Sequence, residues 1–185
     1  MAQYEESAKA YRKLYDVAHD TKRREVVSEG YVDATLKYGD GAAIKLMADD
    51  VATMSDASSW AQRVSRLAKA DVLREEGLRS EALEIYNALA KEVRTTEGAA
   101  AYYRLVENDY LTGNYARAEE RVCSLTECGS MYWQAKIYLV LGDVMVKMNN
   151  TFQARATYQS IVDGYSPKDD GIVEEAKQRI AALPK

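Results

Sequence analysis

The stretch from Ala135 to Ser166 predicts two amphipathic helices joined by a tight turn. Apolar side chains recur there at three- and four-residue steps, and the turn falls at Met148-Asn149-Asn150. A hairpin of this kind has an apolar face that only neighbouring elements can cover. The pattern therefore predicts a chain built from stacked helical hairpins.

The same order of small, turn and large positions recurs upstream at a fixed step. The anchors of this hairpin are Gly142, Asn149, Ala154, Tyr158 and Ile161. One step of 36 residues back gives Val106, Gly113, Ala118, Val122 and Leu125. A second step of 36 gives Ala70, Gly77, Ala82, Tyr86 and Leu89. A more divergent copy has Val32, Gly39, Ile44, Ala48 and Val51 at these positions. A period of this length is typical of helical-repeat arrays.

Periodicity and capping residues divide the chain into ten predicted helices. Segment 1–18 has the spacing of a second helix without its first, so we expect a longer parent protein. We also expect Tyr4, Tyr11 and Leu14 to be partly exposed or covered by another molecule. Four hairpins and a solvating end-cap helix follow, at 22–54, 59–94, 98–128, 131–165 and 171–183. The predicted caps are Asp20-Thr21, Ser55 or Ser58, Thr95 or Thr96, Ser130, and Asp169 or Asp170. Gly30 lies inside a predicted helix, where glycine costs about 1 kcal/mol relative to alanine, so we expect a packing reason for it.

The order of the anchors resembles the tetratricopeptide repeat. The two copies that carry it best are AYYRLVENDYLTGNYARAEERVCSL and AKIYLVLGDVMVKMNNTFQARATYQSI. The runs 113–115 and 141–143 match the family closely, whereas Thr151 replaces its turn aromatic. The resemblance implies an all-α, right-handed α-α superhelix of about ten helices with a concave groove.

The end of the chain resembles a narrower group. The run DVMVKMNNTFQARATYQSIVDGYSPKDDGIVEEAKQRI is similar to the C-terminus of long tetratricopeptide-repeat proteins of Bacteroidetes. This resemblance favours a periplasmic or envelope location. A chain that is complete as it stands would instead be cytoplasmic.

Composition limits both the fold class and the kinds of partner. Hydrophobic residues make up 47% of the chain and there are only two prolines, which disfavours an all-β protein rich in turns. A net charge of −4 argues against a nucleic-acid surface, since that surface needs clustered Lys and Arg. No long uncharged apolar run is present, so no membrane insertion is expected.

Residues that support catalysis or metal binding are scarce. His19 is the only histidine, and Cys123 and Cys128 lie too far apart along one predicted helix for a disulfide. The sequence has no glycine-rich phosphate loop, GxSxG, CxxC or HExxH motif. We therefore expect no enzyme activity, metal or cofactor.

Acidic residues are the exception, because they occupy one equivalent position in all four predicted first helices. This acidic ladder consists of Asp33, Asp71, Glu107 and Asp143. The flanking apolar residues are Leu67, Tyr103, Leu139, Tyr110 and Val146. The resemblance implies that this position faces the concave groove. The family's carboxylate clamp uses Lys, Arg and Asn there, so acidic C-termini are not the expected ligand.

These features favour a non-enzymatic scaffold whose groove binds a peptide or protein segment, with a basic amphipathic peptide as the best match. One alternative is a structural array that docks to the rest of a longer chain, or to another copy through the N-terminal helix. A second alternative is a carboxylate-dependent hydrolase. That activity would need two carboxyl groups about 5–10 Å apart around a pocket.

Overall fold

Apolar spacing of three and four residues produces helices along the whole described chain. The computed structural model describes residues 2–18, 21–52, 59–167 and 170–184. Within them lie ten α-helices, one 3-10 turn and no strand, which confirms the predicted all-α class. The helices are α1 (Ala2–Val17), α2 (Thr21–Tyr38), α3 (Gly41–Ala52), α4 (Ser59–Glu75), α5 (Arg79–Leu89), α6 (Thr96–Leu111), α7 (Tyr115–Ser124), α8 (Met131–Lys147), α9 (Thr151–Gly164) and α10 (Ile172–Ala182). No helix in the described ranges is long and apolar enough to cross a membrane.

Two helices end earlier than the periodicity predicts. Helix α5 passes into a 3-10 turn at Ala90–Glu92, and α7 ends before Leu125, so Cys128 lies beyond the helix. The connections after these helices pack backbone to backbone, because Gly129 N donates to Val93 O at 2.9 Å. A Cβ at Gly129 would lie 1.8 Å from the carbonyl oxygen of Arg94. The two connections therefore contact each other where these helices end.

Two predicted caps form in the structure. Thr95 Oγ1 accepts a hydrogen bond from Gly98 N at 3.1 Å, and Ser130 Oγ accepts one from Trp133 N at 3.4 Å. Asp170 lies one residue before the capping residue of α10, which is Gly171, and its Oδ1 accepts a hydrogen bond from Ile172 N at 3.1 Å. The other predicted caps at 20, 55, 58 and 169 lie outside the described residues.

The first of two compact units covers residues 1–85. Helix α1 packs against α2, α2 against α3, and α3 against α4. Asp50 of α3 holds α1 in place, because its Oδ2 accepts hydrogen bonds from Arg12 Nε and from the Tyr31 hydroxyl, each at 3.1 Å. A Cβ at Gly30 would lie 2.5 Å from the Tyr11 ring, which confirms the packing reason expected for this glycine.

The second unit covers residues 86–185. Helix α6 packs against α7 and α8, α8 packs against α9, and α10 packs against both α8 and α9. The predicted turn residues Gly113 and Asn149 have φ values of 76° and 59°, in the left-handed region. The Tyr158 ring lies so close to Gly142 that a Cβ there would be 2.1 Å from Cε1. Two of the predicted anchors thus meet where α8 and α9 pack together.

Candidate functional site

The part of the acidic ladder that lies in the first unit is only partly at the surface. Asp33 of α2 is partly exposed, and its carboxylate binds Lys37 Nζ of the same helix at 2.7 Å. Asp71 of α4 is only 1% exposed and interacts with other residues of the chain. Leu67 is equally buried. The expectation of an open position was wrong for Asp71 and Leu67, because the face of α4 that carries them forms the interior of the protein.

Glu107 of α6 is held by its own helix. The hydroxyl group of Tyr103 donates a hydrogen bond to Glu107 Oε1, and Arg104 Nη1 lies 3.6 Å from Oε2. The Arg104 guanidinium also lies 5.4 Å from the centre of the Tyr103 ring and 5.9 Å from that of Trp133. Burial, and then the charge of Glu107, raise the pKa of Tyr103 far above its ordinary value. Tyr103, expected on the groove, is instead buried between these groups.

Asp143 of α8 is held by α9 and α10. Its Oδ1 accepts a hydrogen bond from the Tyr158 hydroxyl at 2.7 Å and another from Arg179 Nε at 3.0 Å. Arg179 Nη1 lies 2.8 Å from Glu175 Oε1, and Lys136 Nζ lies 3.5 Å from Glu175 Oε2. Two ion pairs therefore connect α10 to α8, namely Arg179 with Asp143 and Glu175 with Lys136. The charge of Asp143 is balanced from within the chain.

Two expectations about this region were wrong. Leu139 is buried in the core of the second unit rather than exposed on a groove, because α9 and α10 cover that face of α8. The last helix was expected to be a solvating end cap, but Glu175 and Arg179 of α10 are both partly buried and bind other helices. One further repeat step from Asp143 ends on Arg179, which is 36 residues later. Extending the periodicity into the last helix was therefore the signal that could have found this pair.

Apolar surface remains at the C-terminal ends of the two neighbouring helices α6 and α8. We call this surface the α6–α8 strip. Its residues are Tyr110, Leu111, Val146 and Met148. Val146, a predicted groove residue, is 37% exposed, and Tyr110 is half-buried beside the ring of Tyr115, with the ring centres 6.0 Å apart. Only these two of the predicted apolar groove residues reach the surface.

Asp109 is a buried acid that the sequence did not single out. Its Oδ2 lies 2.6 Å from Arg121 Nε and 3.6 Å from Arg117 Nε, which joins α6 to α7. The carboxylate is almost fully buried, while Arg117 is largely exposed. The predicted spacing of the hairpin put Asp109 close to the turn but gave no reason to pair it with α7. We assign it a structural role.

Two of the clefts on the described surface have volumes typical of small-molecule sites. One, of about 460 Å³, lies between α1 and α2 and is lined by Leu14, Val17, Ala18, Arg23, Val26 and Val27. The other, of about 350 Å³, lies between α8 and α9 and is lined by Met131, Gln134, Ala135, Tyr138, Ser160, Ile161, Gly164 and Tyr165. No carboxylate lines either of these two clefts, so neither supports the hydrolase alternative.

Two cysteines and one histidine are the other possible nucleophiles or metal ligands of the chain. Cys123 is exposed, and Cys128 is half-buried with its thiol donating to Ser130 O at 3.3 Å. Burial raises the pKa of the Cys128 thiol. In the described ranges no three His, Cys, Asp or Glu side chains converge as metal ligands. His19 lies outside those ranges.

Comparisons with protein-family models, curated proteins and solved structures found no match to this chain.

Proposed function

We propose that this chain is a non-enzymatic scaffold of the tetratricopeptide type, in which stacked hairpins form a right-handed superhelix and bind a peptide or protein segment. The observation that carries the proposal is the α6–α8 strip. Tyr110 and Val146 are one repeat step of 36 residues apart, and the two helices that carry them pack side by side. A repeated apolar position on adjacent first helices is suited to an extended or helical segment that crosses both.

The partner binds mainly through apolar contact. Glu107 and Asp143 already have Arg104 and Arg179 as partners, so a basic ligand would have to compete with those arginines. The affinity contributed by the acids is therefore small, and screening by salt reduces it further. A weakly basic or neutral amphipathic segment fits this surface better than a strongly basic one.

The test is a displayed library of short amphipathic peptides whose polar faces are basic, neutral or acidic. Peptides that bind the wild-type chain are then measured by fluorescence anisotropy against three variants. The first is Tyr110→Ala with Val146→Ala, and the second is Glu107→Gln with Asp143→Asn. The third, Phe152→Ala, is the matched control, because Phe152 is apolar and 83% exposed but belongs to α9.

We expect the first variant to raise the dissociation constant by about tenfold or more, since two apolar contacts are lost. The second should change it by only a few-fold. Failure of every peptide class to bind, or an equal loss in Phe152→Ala, would contradict the proposal.

A separate observation favours the alternative of a docking array. In the first unit, Leu14, Val17 and Val26 at the connected end of the α1–α2 hairpin are 51%, 66% and 70% exposed.

A further inference from the structure

The cleft between α8 and α9 has an apolar floor and a polar rim. Its volume of about 350 Å³ is near the lower end of the range for small-molecule sites. Ala135 and Ile161 line it and are buried. Gln134 and Tyr138 are half-buried and Ser160 is exposed at its edge. The described residues that line the cleft carry no charge.

The polar side chains of the rim have hydrogen-bonding capacity to spare. Among the described residues, none is hydrogen-bonded to the Tyr138 hydroxyl or to the side-chain amide of Gln134. The Ser160 hydroxyl donates to Thr157 O at 2.7 Å, which leaves the Ser160 oxygen as an acceptor. The rim therefore offers both donors and acceptors to a molecule that rests on the apolar floor.

The preceding hairpin shows these positions in a paired state. Tyr102 and Ser124 are one repeat step of 36 residues before Tyr138 and Ser160. The Tyr102 hydroxyl donates to Arg121 O at 2.5 Å and lies 3.4 Å from Ser124 Oγ, which ties α6 to α7. Within the described chain, Tyr138 makes no such bond to α9. The cleft thus lies where the preceding hairpin has a hydrogen bond between its helices.

The charged groups that hold α10 lie on another face of α8. Lys136 and Asp143 of α8 both form ion pairs with α10. An α-helix turns by about 100° per residue, so Lys136 is about 160° and Asp143 about 180° around the helix from Gln134. These charges therefore point away from the cleft, and its uncharged lining offers no counter-charge to a ligand.

We propose that the α8–α9 cleft binds a small, neutral aromatic molecule that carries an amide or hydroxyl group. The rings of Tyr138 and Tyr165 and the thioether of Met131 line the cleft, and such groups pack favourably against an aromatic ring. An amide or hydroxyl group both donates and accepts, which matches the rim. A charged molecule would lose hydration without gaining a partner. This site is separate from the α6–α8 strip and does not depend on it.

The experiment is a titration of the full chain with benzamide, followed by nuclear magnetic resonance of isotope-labelled methionine methyl groups. Met131 is 51% exposed and lines the cleft, whereas Met148 is 42% exposed and does not line it, so the two signals form a matched pair. The Met131 signal should shift to saturation with a dissociation constant of about 1 mM, and the Met148 signal should stay in place. Benzoate and benzylammonium should bind at least about fivefold more weakly.

The double variant Gln134→Ala with Tyr138→Phe removes two polar groups from the rim. It should raise the dissociation constant of benzamide by about fivefold or more, because the hydrogen bonds to the ligand are lost. Gln159→Ala is the matched control, since Gln159 is an exposed glutamine of α9 that bonds to Asp163 and does not line the cleft. That variant should bind benzamide like the wild type, and circular dichroism checks that both variants keep their helix content.

Four results would overturn the proposal. These are a Met131 signal that does not shift to saturation, equal shifts of the Met131 and Met148 signals, a charged analogue that binds as tightly as benzamide, and a double variant that binds as well as the wild type. Because no peptide is present in this titration, its outcome is independent of the peptide binding proposed for the α6–α8 strip.

Discussion

Replacing Gly142 with alanine tests whether the close packing of α8 against α9 requires a residue without a side chain at this position. A Cβ at this position would lie 2.1 Å from Tyr158 Cε1, whereas carbon atoms in contact are about 3.5–4.0 Å apart. The Tyr158 ring is buried, and its hydroxyl group is bonded to Asp143. The ring or the helix must therefore move by about 1.4 Å or more, which strains or breaks that hydrogen bond.

The magnitude follows from opposing contributions. Overpacking of a core costs about 1–3 kcal/mol, and loss of a hydrogen bond adds about 1 kcal/mol. Alanine offsets about 1 kcal/mol of this by its higher helix propensity. We expect the free energy of unfolding to fall by about 1–3 kcal/mol. For a chain of this size, the midpoint of thermal unfolding should then fall by about 2–10 °C.

The assay is thermal unfolding followed by far-ultraviolet circular dichroism, with Gly164→Ala as the matched control. Gly164 is also helical and in the same unit, but a Cβ there would meet nothing within 4 Å. That variant should be neutral or more stable by up to about 1 kcal/mol. In a Tyr158→Leu background, Gly142→Ala should cost less than it does in the wild type, because the smaller side chain leaves room for the methyl group. A Gly142→Ala protein as stable as the wild type would refute the reasoning.

Three further outcomes follow from the buried charges and tyrosines. Asp109→Ala should lower the free energy of unfolding in urea by about 1–3 kcal/mol, because Arg121 loses a charged hydrogen bond at a mostly buried site. Asp33→Ala at a partly exposed pair should cost under about 1 kcal/mol. Burial opposes ionisation of Glu175, but its basic neighbours outweigh burial and hold its pKa below the ordinary value of 4.5. Its stabilisation is therefore present above pH 4.5 and lost as the pH falls through the lowered pKa, so thermal midpoints of Glu175→Gln should depend less on acid than those of the wild type. Burial first, and then the neighbouring carboxylate, raise the pKa of Tyr103 and of Tyr158 above 10. The stabilisation of the fold by these neutral tyrosines is therefore complete below pH 10 and is lost as the pH rises further. Tyrosinate absorbance during alkaline unfolding measures this loss.

The sequence by itself determined the helices and the residues between them. The three- and four-residue apolar spacing is a local property, and so is the need for a left-handed residue at Gly113 and Asn149. The close packing at Gly30 and Gly142 was also indicated by the sequence, because a glycine inside a helix lowers helix stability and a close contact with another side chain can offset that loss. These features required no knowledge of the tertiary structure.

Only the tertiary structure decided which face of each helix is covered. Periodicity places Leu67 and Asp71 on one face of α4, but it does not say whether that face meets solvent or the interior. In the same way, the sequence predicts Asp143 as an acid on the groove, whereas in the structure Arg179 of α10 binds its carboxylate. The physical reason is that burial and ion pairing depend on contacts between segments a full repeat apart, whereas helix formation depends on neighbours within one turn.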